Sequence, residues 1–326
     1  MTYQKYFKNI FLFPLLFSVV LFSCKKGNNA KTEAEVVETK INEAPFFKLS
    51  LAQWSLNKTF NDEGVSPFEF ARISDSLGFD ALEYVSQLYK NQIVELGFDA
   101  VIDSLKKLSE KHGLKNNLIM VDDEGNLADL NEKVRNQAVE NHKKWVDAAK
   151  YLGCHAIRVN AHGNGSYEDV GDAAVKGLTK LSEYAYNKGI NILVENHGGF
   201  TSNGRWLADV MKKIGKSNCG TLPDFGNFCQ TEDYGSINDE NCNDTYDIYK
   251  GIHELMPYAK AVSAKSYDFD MNGNQPKIDY FKALQIVKDA GYSGFIGVEY
   301  EGNNLNEKEG ILATKALLLK VAKEVK

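Results

Sequence analysis

From residue 46 to the C-terminus at 326, short apolar runs alternate with longer amphipathic segments. The runs fall at 48–54, 80–85, 117–121, 156–161, 190–195, 219–223, 261–266 and 295–300. Apolar residues at helical spacing fill 66–77, 98–112, 131–151, 170–187, 204–214, 245–257, 279–290 and 307–323. The runs are short enough to be strands and the intervening segments long enough to be helices. Helix boundaries carry their own signals. Ser66-Pro67 sets a capping hydroxyl before a proline suited to a first helical turn. Gly78, Gly113, Gly153, Gly189, Gly215 and Gly291 follow six helix ends, where a left-handed residue closes the last turn.

Strand and helix in strict alternation imply parallel strands, and eight such units favour closure into a (β/α)8 TIM barrel over an open doubly wound sheet. No GxGxxG follows the first strand, so no nucleotide cofactor is expected. Three strands end in acids: INILVENHG at Glu195, GTLPDFGN at Asp224 and GFIGVEYEG at Glu299. In a parallel barrel these ends share one rim, where a site is assembled. Strand parity sorts the remaining candidates. It turns Glu195, Glu299, Glu83 and Lys265 inward, with Ser263 beside the lysine, and places Arg158, Asn160 and His162 on the inner face of strand four. His197 follows Glu195 directly. A lumen this polar needs pairing, hydration or a bound ligand. Glu83 is expected to orient water or substrate. Asn227 is read as a possible turn cap, and loop 231–244 as a lid or a subunit contact.

The front of the chain reads differently. Lys5 and Lys8 precede a nearly unbroken apolar run from Ile10 to Phe22, the length of a signal-peptide core. The run ends in Leu21-Phe22-Ser23-Cys24, which resembles a bacterial lipobox, with Cys24 as the lipidated residue. An ordinary signal peptide or a short anchor helix is the alternative. Residues 1–24 are therefore assigned to a lipoprotein signal peptide, 25–45 to a flexible tether and 46–326 to the barrel. The expected location is the bacterial cell envelope, on a lipid anchor facing the periplasm from the outer membrane.

Five lysines and no acid lie in the first 31 residues, which leaves a net charge of −11 on the rest. So acidic a surface repels nucleic acid, and none is expected as a partner. Cys154, Cys219, Cys229 and Cys242 have no CxxC spacing, so a zinc ribbon is not expected. One disulfide among Cys219, Cys229 and Cys242 and a set of buried free thiols are both open.

The lines LGFDALEYVSQ, ILVENHG, LPDFGN and GVEYEG, in this order, resemble the xylose isomerase-like barrel superfamily over residues 48–302. The resemblance is to its sugar phosphate isomerase/epimerase branch, which includes D-tagatose 3-epimerase. It implies one divalent cation, Mn²⁺ or Mg²⁺, held by Glu195, Asp224 and Glu299, with Glu195 and Glu299 also transferring protons. Where the family reads His-x-Lys-Asp on strand seven, this chain reads Ser263-Ala264-Lys265-Ser266. An all-oxygen ligand set suits Mg²⁺, Mn²⁺ or Ca²⁺. Alternatively the Lys265 ammonium stands where the cation would be.

The implied activity is isomerisation or epimerisation of a small-molecule carbohydrate through an enediolate, with His162, His197, Lys265, Arg158, Asn160 and Glu83 holding substrate. Two other readings compete. The same chemistry on a 3-keto-glycoside expels the C1 substituent, which makes a lyase or hydrolase. Loss of the strand-seven histidine also fits a catalytically silent carbohydrate-binding lipoprotein.

Overall fold

A computed structural model describes residues 44–231 and 233–326. Positions 1–24, most of the 25–45 tether and the expected lipidation site Cys24 lie outside the described residues. Eight strands form the sheet: β1 (Lys48–Ala52), β2 (Ala81–Val85), β3 (Lys115–Val121), β4 (Ala156–Val159), β5 (Asn191–Glu195), β6 (Cys219–Leu222), β7 (Val262–Ser266) and β8 (Phe295–Tyr300). All neighbours pair in parallel, in the order β6-β5-β4-β3-β2-β1-β8-β7. The ends meet through single bridges, Thr221 with Ala259 and Asp224 with Ser263, so the sheet closes into a TIM barrel. Pro223 has no N–H to extend a ladder, yet its carbonyl accepts from the Ser263 amide at 2.9 Å. That seam is loose in pairing and places Asp224 directly beside β7.

Ten α-helices are described: α1 (Asn57–Asn61), α2 (Phe70–Ser76), α3 (Lys90–Leu96), α4 (Phe98–Lys111), α5 (Glu132–Leu152), α6 (Tyr167–Tyr186), α7 (Gly204–Ile214), α8 (Ile248–Leu255), α9 (Tyr280–Asp289) and α10 (Glu307–Val321). The eight amphipathic segments of the sequence account for α2 and α4 to α10. The first begins as a 3-10 turn, Pro67–Glu69, before α2. The short helices α1 and α3 in the loops after β1 and β2 were not anticipated, because each is too brief to carry a helical period. Side chains of Asn131, Ser166, Asn203, Asp247, Asp279 and Asn306 cap α5 to α10 by accepting orphan amide protons. Gly153 ends α5 with φ +83°, a left-handed turn that a side chain would strain.

The apolar core lies between barrel and helices, where outward residues such as Ile157, Val159, Ile192, Val194, Ile296 and Val298 are fully buried. Inside the barrel, Arg158, Glu195, Lys265 and Glu299 are buried polar groups beside apolar residues such as Leu193. Parity holds for Arg158, Glu195, Lys265 and Glu299 but fails to reach Asn160 and His162, because β4 stops at Val159. Those two lie on the loop after the strand. Of the cysteines, Cys229 and Cys242 are joined, while Cys154 and Cys219 are buried free thiols. No described helix is long and apolar enough to cross a membrane.

Candidate active site

Three carboxylates meet at the C-terminal rim. Glu195 is the last residue of β5, Asp224 lies two residues past β6, and Glu299 is the penultimate residue of β8. One oxygen from each falls within 4.8 Å of the others, and all three side chains are buried. Asn196 fastens this geometry. Its Nδ2 donates to the carbonyls of Asp224 and Asn227 at 3.0 Å each, and its Oδ1 accepts from the Asp224 amide at 2.7 Å. Strands five and six are thereby pinned at the point where their acids emerge.

Two cations balance the acids. Arg158 donates from Nη1 to Asp122 Oδ1 at 2.6 Å, and its Nε lies 2.9 Å from Glu195 Oε2, an ion pair without hydrogen-bond alignment. Lys265 donates to Asn227 Oδ1 at 3.1 Å and to Glu301 Oε1 at 3.0 Å, with Glu299 Oε2 at 3.8 Å. Burial pulls the Lys265 pKa down, but Glu299, Glu301 and Asp224 outweigh it and hold it well above the ordinary lysine range. Burial likewise raises Asp122, but Arg158, His197 and Asn160 outweigh it and lower its carboxyl. Burial raises Asp224 to about 7 despite Lys265, and it raises Glu299 well above the ordinary range.

Five carboxyl groups (Asp122, Glu195, Asp224, Glu299 and Glu301) thus face Arg158 and Lys265. Asp224 Oδ2 is buried without a hydrogen-bond partner. Excess negative charge, an orphaned carboxylate oxygen and three convergent acids fit a divalent cation bound by oxygen. Ser263 adds no further charge; it donates to Glu299 Oε2 at 3.1 Å. Lys265 makes no hydrogen bond to any of the three acids; its amine bonds Asn227 and Glu301 and reaches Glu299 only as an ion pair at 3.8 Å.

Above this floor opens a cavity of about 840 Å³, lined by Arg158, Asn160, His162, Glu195, His197, Lys265 and Glu299 among others. His197 donates from Nδ1 to Asn160 Oδ1 at 2.9 Å, and Asn160 donates to Asp122 Oδ1 at 2.7 Å. Burial, Arg158 and Lys265 depress the His197 pKa well below its usual value, so its imidazole is neutral with Nε2 free to accept. His162 is tethered by Nε2 to the His197 carbonyl at 3.1 Å.

Glu83, expected to orient water or substrate, is placed away from the cavity. It lies deeper in the barrel, where Oε1 accepts from Ser50 at 2.6 Å and Asn117 at 2.9 Å, and it does not line the cavity. Burial, opposed by those two donors, raises its pKa to about 7. Asn227 is more than a turn cap: its Nδ2 donates to Glu195 Oε1 at 3.0 Å while its Oδ1 receives Lys265. Asp122 and Glu301 were missed, although LIMVDD ends a strand in an acid and Glu301 shares the parity of Glu299. His142, in the middle of α5, also lines the cavity, and no strand pattern pointed to it.

Comparisons with known proteins agree with this architecture. The family described as "Xylose isomerase-like TIM barrel" matches residues 70–320. The alpha subunit of a 3'-dehydrocarminate deglycosidase from Microbacterium sp. is 38% identical over 52 residues, a stretch that covers 16% of this chain and only 15% of that subunit. Among solved structures, the D-psicose 3-epimerase of Clostridium cellulolyticum H10, holding D-tagatose, superposes with TM-score 0.63 at 14% identity, covering 85% of this chain and 99% of that one. The 3-keto-D-glucoside 4-epimerase of E. coli superposes with TM-score 0.63 at 15% identity, covering 84% and 99%. At such identities the two structures speak for the fold alone. With most of the barrel inside the matched range, the chain belongs to the xylose isomerase-like TIM barrel family.

Proposed function

We propose that this chain is an enzyme that enolises a keto-sugar, acting as an isomerase or epimerase. The observation that carries the reading is the approach of Glu195 and Glu299 to within 4.8 Å of each other and of Asp224 at the floor of a polar cavity. One carboxylate takes the proton from the carbon beside the substrate carbonyl. The other returns a proton from the opposite face, which inverts that centre, or to the neighbouring carbon, which moves the carbonyl. A divalent cation held by Glu195, Asp224 and Glu299, with Mn²⁺ or Mg²⁺ favoured by the all-oxygen set, would polarise the carbonyl and stabilise the enediolate charge. Arg158 and Asn227 orient Glu195, Ser263 orients Glu299, and the neutral His197 accepts a substrate hydroxyl.

The test is solvent exchange. Incubated with a ketose in D2O, the protein should wash deuterium into the carbon next to the carbonyl, read by proton NMR. Glu195→Gln and Glu299→Gln should each slow exchange by about a thousandfold or more while the variants stay folded by circular dichroism at the assay temperature. Exchange that survives either change removes that carboxylate from the chemistry.

A second reading has its own support. The stretch shared with a deglycosidase subunit and a cavity roomier than one sugar ring both favour a 3-keto-glycoside as substrate. Removal of the C2 proton beside the C3 carbonyl would then push the electron pair to C1 and expel the aglycone. Mass spectrometry separates the two, since isomerisation conserves substrate mass and elimination releases a fragment. For location we keep the lipid-anchored envelope reading; the Cys229–Cys242 disulfide suits such an oxidising compartment.

A further inference from the structure

The cavity has a second polar pole that the enolisation scheme leaves unused. His142 sits in mid-α5 and is only 2% exposed, yet it lines the cavity. Its Nδ1 lies 2.7 Å from the carbonyl of Ala138, one turn earlier in the same helix. A carbonyl only accepts, so Nδ1 carries the proton and Nε2 presents a bare lone pair. No described residue donates to that nitrogen. Burial lowers the imidazole pKa, against the pull of Ala138, Glu124 and Asp122, which keeps the ring neutral.

The surrounding fold holds the ring in place. The loop from β3 to α5 lies on the helix: Gly125, at φ +97°, runs so close that a side chain there would meet the Ala138 Cβ at 3.1 Å. Asn141 donates to the Glu124 carbonyl at 3.1 Å, and Trp145 donates to the Glu124 carboxylate at 2.7 Å. A buried imidazole that needed only its helix bond would be shielded on the other side. Here the ring borders the cavity.

Asp122 links the two poles. Its Oδ1 receives Arg158 and Asn160, which adjoin Glu195 and His197, and it lines the same cavity as Glu124 and His142. We infer that His142 Nε2 forms a distal subsite, where it accepts a hydrogen bond from a hydroxyl on a second ring of the substrate. The ligand class is a two-ring glycoside, its reacting sugar over Glu195 and Glu299 and its other ring under the β3–α5 loop. This deepens the keto-sugar reading, on which it rests for the identity of the reacting ring, and it makes His142 a specificity residue.

Two substitutions of the full chain dissect the imidazole. His142→Asn keeps a donor for the Ala138 carbonyl and deletes the acceptor facing the cavity, whereas His142→Gln extends an oxygen toward the Nε2 position. Calorimetric titration with cellobiose and with glucose, in buffer containing Mg²⁺, reads binding without turnover. His142→Asn should weaken cellobiose binding about tenfold more than glucose binding, and His142→Gln should recover most of the difference. In the free protein, ¹⁵N NMR should find His142 Nε2 unprotonated, with a shift on adding cellobiose. Equal losses for both sugars, unchanged cellobiose binding in His142→Asn, no cellobiose binding by the wild type, or a protonated Nε2 would each overturn the subsite. If cellobiose binding depends on His142 while no 3-oxo-sugar is turned over, the subsite stands and the enolisation reading falls.

Discussion

Ser263 on β7 gives its hydroxyl proton to Glu299 on β8 across 3.1 Å, at the strand position where the family pattern implies a histidine ligand. The serine orients the carboxylate but supplies no strong donor to a cation. Ser263→His should therefore add an imidazole nitrogen beside Glu299 and tighten binding of a divalent cation by about tenfold or more, with a shift toward Zn²⁺. The side chain is buried, so some melting temperature will be lost to overpacking. Calorimetric titration with Mn²⁺ and Zn²⁺ checks it; unchanged affinities would mean that this position does not face the ion.

Gly297 on β8 leaves room for the Glu83 carboxylate: a Cβ there would lie 2.5 Å from Oε2. The atoms met all belong to the Glu83 carboxylate, which can move aside only by breaking its bonds from Ser50 and Asn117. Gly297→Ala should cost about 1–3 kcal/mol, read by urea unfolding. Adding Glu83→Ala should recover much of the loss, and a strictly additive double mutant would refute the steric account.

Glu83 also ties stability to pH. Its carboxyl is raised from 4.5 to about 7 in the folded chain, so between those values the native state holds a proton that the unfolded state has released. A raised acid stabilises fully below its unfolded pKa, and that contribution is lost as pH climbs through about 7. Glu83→Gln stays neutral throughout, so relative to wild type it should gain on the order of 1–3 kcal/mol on going from pH 5 to pH 8. Parallel stability curves for the two proteins would count against this.

The charge imbalance of the site predicts a response to metal. Excess Mn²⁺ should raise the melting temperature of EDTA-treated protein by several degrees, through binding to the folded state alone. Asp224→Asn removes the orphaned oxygen's charge and should abolish most of that gain. A gain that persists in Asp224→Asn would place the ion elsewhere.

The Cys229–Cys242 bridge closes the loop that brings Tyr234, Ser236 and Asp239 to the cavity wall. Cutting it frees a short loop in the unfolded chain as well, a change worth roughly 2–3 kcal/mol. Reduction, or Cys242→Ser, should lower the melting temperature and raise KM several-fold, with kcat moved less. An equal fall in kcat would show that the loop acts on the chemistry itself.

Much of this was legible in the residues because barrel strands obey a period of two and their helices a period near four. Seven strands lay within their short apolar runs and β3 began two residues earlier, at Lys115; Glu195, Asp224 and Glu299 stood out because a charge at the end of such a run has few structural uses. Where the period ended, legibility ended. Asn160 and His162 sit past β4, where parity says nothing. His142 looks like any helical polar residue until the β3–α5 loop is laid over it. Asp122 does obey the strand-end rule, directly after β3.

What the amino-acid order decided by itself was local and periodic: eight βα units, the inward faces of strands two, five, seven and eight, and the acids at three strand ends. Partnership was decided only by the folded chain. The tertiary structure joined Cys229 to Cys242 rather than Cys219, turned Lys265 toward Glu301, gave Asn227 both Glu195 and Lys265, and sank Glu83 below the cavity. Pairings of this kind depend on distances between residues far apart in the chain, which barrel closure sets and no local pattern encodes.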